Sequence, residues 1–420
     1  MRGWGTALRN AVSAWYNDKP VDKLAYQVIK YQARSADEGK GSSRWSHADL
    51  LNKSHPAQES PEHAALYRWL QTDGKCMGKR EVVRGKGNSA KAFKYPSVKK
   101  HLPKLIKGFE KAKKATSAKE IVELIQEYNL PREAIPTQFL RDPAVWAAML
   151  PNMPITGMIR NLGNMSKAGI LNPLSEGEGI VLQKLADQKC LNKSRVHPLG
   201  VLVAIKTYEQ GHGFRGSNTW DVNQNIVDAL DGAFYKTFDN IVPTGKRFYL
   251  GIDVSGSMTL DMIANMPGIT PRVGAAAMAM VTARTEDRFY MAGFTGEMTE
   301  LAIGKRDSLD TVIRKTDDCR FGRTDCALPM IDALNKGMEV DTFVVYTDSE
   351  TWANPNCHPI EALRNYRDKI NPEAKLAVAG MVSNNFTIAD PLDAGMIDIV
   401  GFSTSTPQIL SQFASGELSA

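Results

Sequence analysis

Asp253, Ser255 and Ser257 alternate in the segment Asp-Val-Ser-Gly-Ser, so one carboxylate and two hydroxyls can turn toward a single point. This is donor chemistry for a hard divalent cation such as Mg²⁺, which takes oxygen ligands in near-octahedral order, keeps several waters and needs only one or two carboxylates. Further along, Thr324 and Asp325 close the segment Phe-Gly-Arg-Thr-Asp, and Asp348 follows the apolar run Val-Val-Tyr-Thr. The structural alternative is that Asp253 caps a helix and the two serines make a turn. Metal binding is favoured because Asp253 and Asp348 both stand directly after strand-like runs, the edge at which parallel sheets bind ligands.

The elements that would position these residues change character along the chain. After Pro243-Thr-Gly-Lys246, strand-like runs at Arg247 to Ile252, Phe289 to Phe294, Thr342 to Tyr346, Lys375 to Ala379 and Ile397 to Val400 alternate with helical patterns. Those helices are expected at Val273 to Arg284, Asp325 to Lys336 and Ile360 to Lys369, so residues 241–420 read as a doubly wound α/β sheet domain. Residues 1–240 are different: Ile155, Met158, Ile159, Leu162 and Met165 recur at helical spacing, as do Val222, Ile226, Leu230, Phe234 and Phe238. Strand-like alternation is rare there, and no fixed-period consensus is present, which predicts irregular, HEAT-like helical repeats.

Charge follows the same division. Residues 1–240 hold 36 Lys/Arg against 23 Asp/Glu, and residues 241–420 hold 16 against 23. The stretch Lys79 to Lys119 contains 14 basic residues, Lys99 and Lys100 among them, against Glu81 and Glu110, with Phe93 and Tyr95 interleaved. That is an electrostatic footprint for a nucleic-acid backbone, with a mobile basic loop as the plain alternative. Lys30 and Arg34 lie four residues apart and share a helix face, spaced to meet phosphates or simply to be solvated. Arg160, beside Asn161 and Asn164, is a further candidate for RNA or for a helix-helix hydrogen bond. No apolar run has the length of a membrane span and no signal-peptide core follows the first residues, so a cytoplasmic protein is expected. Five scattered cysteines without a C-x-x-C pair argue for reduced thiols. Gly211-His-Gly-Phe-Arg-Gly216 fits G-x-G-x-x-G, but it follows a helical pattern and lacks the strand that phosphate cradling needs.

The metal-site segments together resemble the metal-ion-dependent adhesion site of von Willebrand factor A domains. Longer segments are similar to the Ro autoantigen family, in which a helical-repeat TROVE domain precedes such an A domain. They include Met153-Pro-Ile-Thr-Gly-Met-Ile-Arg-Asn-Leu-Gly-Asn-Met165, Val196-His-Pro-Leu199, Thr207-Tyr-Glu-Gln-Gly-His-Gly213, Ala233-Phe-Tyr-Lys-Thr-Phe238 and Asn385-Phe-Thr-Ile-Ala-Asp-Pro391. The resemblance implies Asp253, Ser255, Ser257, Thr324 and Asp348 as ligands of a divalent cation, most simply Mg²⁺, with a coordination position left for a partner's carboxylate. It also implies a non-catalytic RNA-binding protein: small structured Y-type RNA on the helical surface, and single-stranded 3′ ends of misfolded RNA in a central hole.

By the same resemblance Lys30, Arg34 and His55 are the Y-RNA contacts, with a Gly/Ser-rich insertion from Ser35 to Arg44 between them. Arg2 to Tyr16 matches a segment well inside typical members, so the first several helices of the family are expected to be absent. Two other readings compete: a metal-dependent protein-interaction module whose helical part is only a scaffold, and a metal-dependent phosphoryl-transfer or nuclease enzyme. The enzyme needs a nucleophile or general base beside the metal, whereas Asp-x-Ser-x-Ser supplies hydroxyls and few charges.

Overall fold

Between residues 247 and 400 the apolar runs at Arg247–Asp253, Thr342–Thr347 and Lys375–Gly380 become central strands whose side chains are covered on both faces, as parallel sheets require, while the outer strands are part-exposed. In the computed structural model a six-stranded sheet runs β5–β4–β3–β6–β7–β8, with β3 Arg247–Asp253, β4 Arg288–Phe294, β5 Met298–Glu300, β6 Thr342–Thr347, β7 Lys375–Gly380 and β8 Met396–Val400. Five strands are parallel, and β5 pairs antiparallel with β4 at the edge. The chain winds outward from β3 to β4 and β5, then returns to the other side of β3 for β6. The strand order therefore reverses between β3 and β6, whose carboxyl ends carry Asp253 and Thr347-Asp348.

The structure describes residues 4–37, 45–77, 80–84, 91–95, 97–213, 217–260, 262–263, 266, 268–317, 324–348, 357–382 and 388–418, with the backbone alone at 32–37, 80–84 and 91–95. Packing divides the chain into two compact units: residues 1–153 with 168–170, and residues 154–167 with 171–420. The change from helical to alternating pattern near residue 240 is thus internal to the second unit.

In the first unit the helix starts are written in capping residues. Ser46, Ser60, Ser117 and Asp142 accept backbone N–H bonds at the starts of helices His47–Ser54, Pro61–Gln71, Ala118–Tyr128 and Pro143–Met149. Leu24, Val28 and Ile29 form a buried stripe on helix Val21–Asp37, and Trp69, Ile106 and Trp146 are buried in the same unit. One element departs from the sequence reading: β1 Arg80–Arg84 and β2 Lys91–Tyr95 form an antiparallel hairpin inside the basic stretch, Arg80 opposite Tyr95 and Arg84 opposite Lys91. Val82-Val83 and Phe93 have strand propensity, but five-residue runs interrupted by Lys and Arg carry no clean period of two.

Two helical expectations in the second unit are also corrected. Pro154 to Met165 is two short helices, Ile155–Arg160 and Leu162–Lys167, broken at Asn161, whose side-chain amide donates to the Gly157 carbonyl at 2.8 Å. Gly163 follows the break because the Trp220 ring lies against it, 2.8 Å from where a Cβ would stand. Val222 lies outside helix Gln224–Lys236 and is exposed, while Ile226, Leu230, Phe234 and Phe238 are buried as their spacing predicts. Asn223 caps that helix in its place.

Gly251, in the middle of β3, lets helix Leu328–Asn335 approach the sheet: a Cβ there would lie 2.7 Å from Pro329 Cγ. This helix leads out of the Thr324-Asp325 segment, so its seating bears on the candidate site. Gly251→Ala is expected to lower unfolding stability by about 1–3 kcal/mol through overpacking, measured by urea denaturation.

Candidate metal centre and nucleic-acid interface

Asp253 is the last residue of β3 and has no exposed surface. Its Oδ1 accepts the Ser255 backbone N–H at 2.9 Å, which folds the loop back over the strand end, and its Oδ2 accepts the Thr347 hydroxyl at 2.8 Å. The Ser255 and Ser257 hydroxyls meet at 3.0 Å. Asp348, buried at the end of the neighbouring strand, is near enough for its charge to act on Asp253. Thr324 is buried at the same sheet edge: the Asp325 N–H donates at 2.9 Å to the carbonyl of Thr295, and the Val254 N–H donates to Phe294, so these segments flank the first loop. Asp325 itself turns its Oδ1 to the Ala327 N–H at 3.0 Å and so closes a local turn.

Burial pushes the Asp253 carboxyl up to about 6, opposed by hydrogen bonds from Ser255 and Thr347 and reinforced by the Asp348 charge. A cation between the two carboxylates would invert that balance, since it compensates both charges at once. The donors are all oxygen and include two carboxylates, which fits Mg²⁺ chemistry. Among the described residues no three His, Cys, Asp or Glu side chains are grouped to hold a metal.

Two residues that the sequence reading passed over shape this loop. Thr347 bonds Asp253 directly, and Arg272, almost fully buried, donates from Nη2 to the Val254 and Ser255 carbonyls, each at 3.2 Å. Its Nη1 pairs with Asp317. A Thr next to a candidate Asp was a signal available in the sequence; an Arg in the first turn of helix Pro271–Thr285 was not distinguishable from any other.

The basic candidates fall in both units. Lys30 is half-buried on helix Val21–Asp37, and Arg34 follows one turn later on the same helix, its side chain outside the described residues. His55 is exposed and ends helix His47–Ser54 in a left-handed conformation, φ 49°. Tyr31, next to Lys30, meets the ring of His47 at 6.1 Å, so His55 caps the opposite end of that helix, about 12 Å along its axis. Lys99 and Lys100 are exposed in the turn before helix Lys104–Ala112, where Lys104, Lys107 and Lys111 line the side opposite buried Ile106, Phe109 and Ala112. Arg160 is exposed at the end of its helix in the second unit. The remainder of the insertion, residues 38–44, and the turn between β1 and β2, residues 85–90, lie outside the described residues.

The Thr244 and Gly245 N–H groups already have a partner within the protein, donating to the buried Glu286 carboxylate at 2.7 and 2.9 Å. Likewise His197 caps helix Pro198–Glu209, its ring taking the Leu199 N–H at 3.2 Å, and burial lowers its imidazole to about 4. No described helix is long and apolar enough to cross a membrane.

Comparison with known proteins finds matches to both the helical and the sheet regions of the chain. Residues 1–207 match the TROVE domain and residues 247–414 match the Ro60 vWA domain. A Deinococcus radiodurans protein named RNA-binding protein RO60 is 38% identical over 99% of this chain and 73% of its own length. A Caenorhabditis elegans protein of the same name is 37% identical over 99% of this chain and 67% of its own length. The crystal structure of Deinococcus radiodurans RO (RSR) protein superposes with a TM-score of 0.81 at 38% identity, covering all of this chain and 78% of that one. Matched across its helical and sheet regions alike, the chain belongs to the Ro family.

Proposed function

We propose that this chain is a non-catalytic RNA-binding protein of the Ro type, taking small structured RNA on its basic helical unit and a divalent cation in its A-type domain. The observation that carries the reading is identity of 37–38% over 99% of the chain to two relatives named RNA-binding proteins. Charge supports it: residues 1–153 hold 27 Lys/Arg against 15 Asp/Glu, a field that attracts a polyanion and makes its binding fall with salt. Lys30 and Arg34 from one helix and His55 from the end of another would meet the phosphates of a Y-type RNA. Lys99 and Lys100, continued by the lysine side of helix Lys104–Ala112, would follow a second length of backbone. Flexible lysines tolerate many shapes, which suits misfolded RNA ends as well. Metal-dependent interaction on a helical scaffold alone would leave this basic surface without a role.

In the sheet domain Asp253, Ser255, Ser257, Thr324 and Asp348 would hold the cation, Mg²⁺ by donor chemistry. When bound, it supplies a Lewis-acidic position for a partner's carboxylate. The chain's own residues then orient and support: Arg272 anchors the Val254 and Ser255 carbonyls and so fixes where the two serine hydroxyls stand. Arg272→Met, which keeps the stem without the guanidinium, is expected to weaken Mn²⁺ or Mg²⁺ binding roughly tenfold in calorimetric titration. Unchanged affinity in a folded variant would remove Arg272 from the site.

The test of the function as a whole is recovery of the protein from its own cells with crosslinked RNA, followed by sequencing. One or a few small structured RNAs should dominate the recovered pool. A pool that mirrors bulk RNA, or holds none, would transfer the argument to the metal-dependent interaction module.

A further inference from the structure

We propose that the exposed rings of Trp45 and Tyr31, backed by Trp4 and the Trp15–His47 pair, form a platform on which the bases of an unpaired RNA segment stack, an inference that rests on the RNA-binding reading. Helices Thr6–Asn17 and His47–Ser54 are held together by two bonds: the Ser13 hydroxyl donates to the Ser54 carbonyl at 3.0 Å, and the Tyr16 hydroxyl meets His47 Nδ1 at 2.6 Å. Aromatic rings collect beside this junction. Trp4 and Trp45 have ring centroids 5.1 Å apart, Trp15 and His47 lie 6.0 Å apart at an interplanar angle of 29°, and Tyr31 meets His47 at 6.1 Å.

Trp45 is 55% exposed and Tyr31 48% exposed, while Trp69 and Trp146 of the same unit are about 1% exposed. The unit therefore has a core able to bury tryptophan, yet keeps these rings at its surface; clustered apolar exposure of this kind marks an interaction site. Cations stand among the rings. The Lys19 ammonium lies 4.0 Å from the Trp15 ring centroid, and Lys30 directly precedes Tyr31. His47 adds no charge of its own, since burial lowers its imidazole to about 4 and leaves it a neutral flat ring at pH 7.

Ring faces beside cations are what an unpaired strand can use, because its bases offer π faces while its phosphates meet the charges. A continuous duplex offers only its two terminal base faces. The excess of basic residues in this unit selects a polyanion as the occupant over an apolar protein surface. The platform would thus discriminate unpaired from paired RNA without reading sequence, as stacking tolerates every base.

The test compares two labelled probes, an oligoadenylate of about a dozen nucleotides and a blunt RNA duplex of similar length, at two salt concentrations. Trp45→Ala and Tyr31→Ala are each expected to weaken oligoadenylate binding about tenfold while duplex binding stays within about twofold. The salt dependence should not move, since no charge is removed, and Trp45→Phe should restore most of the affinity. Both residues are exposed, and thermal melts of the variants check the fold. Equal losses on the two probes would overturn the platform, as would no loss on either while wild type binds both; the latter would assign the aromatic face to a protein partner. If wild type binds neither probe, the RNA-binding reading itself falls, and the platform with it.

Discussion

Asp253→Asn is expected to abolish divalent-cation binding, at least a roughly 100-fold loss in calorimetric titration, and to leave RNA affinity within about twofold of wild type. The amide is nearly isosteric and can keep the local bonds: its oxygen can accept the Ser255 N–H, and its nitrogen can donate to the Thr347 hydroxyl, which rotates to accept. The variant should therefore fold, and removing a buried carboxylate next to Asp348 relieves repulsion when no metal is present. The readout is twofold. Wild type should gain thermal stability with added Mg²⁺, approaching about 2.7 kcal/mol at 100 times the dissociation constant, and the variant should gain none. RNA affinity is expected to hold because Asp253 and the Lys30 helix belong to different compact units. A folded Asp253→Asn protein that lost RNA binding would show that the two sites are not separate functions.

Replacing Lys30 and Arg34 together with alanine should lower affinity for the co-purified RNA by roughly 10- to 100-fold, since each charge-assisted phosphate contact contributes about 1.5–3 kcal/mol and such losses overlap. The sharper signature lies in salt dependence. Each phosphate contact contributes close to one unit to the slope of log affinity against log salt, so the double variant should lose about two. Lys99→Ala with Lys100→Ala should change affinity less, since these residues sit in an exposed turn beside further lysines that can substitute. A double Lys30/Arg34 variant with wild-type affinity and slope would move the RNA away from this helix.

These experiments address residues of unequal legibility. Asp253 was visible because it follows a run from Phe248 to Ile252 that is apolar at every position, and such a run is a strand covered on both faces. Asp348 was visible for the same reason after β6, every residue of which is buried. Lys30 and Arg34 needed only the helical repeat. The three-residue edge strand β5 was not legible, since it is too short to show a period. Nor was the break at Asn161, where the apolar spacing is unbroken and a side-chain bond to Gly157 and the Trp220 ring against Gly163 decide the path.

What the sequence by itself determined is local: where burial on one or two faces makes a helix or strand, which capping residues start it, and which oxygen donors stand at strand ends. Convergence was decided by the tertiary structure. The reversal of strand order between β3 and β6 sets Asp253 beside Thr347 and Asp348, 94 residues apart in the case of the Thr347 bond. The guanidinium of Arg272 reaches the carbonyls beneath the serine loop only because its helix packs there. Trp4 meets Trp45 beside two helices clamped at Ser13 and Tyr16, and Tyr31 meets His47 from a third helix. Periodicity along a chain reports which side of an element is covered; it carries no information about which other element covers it.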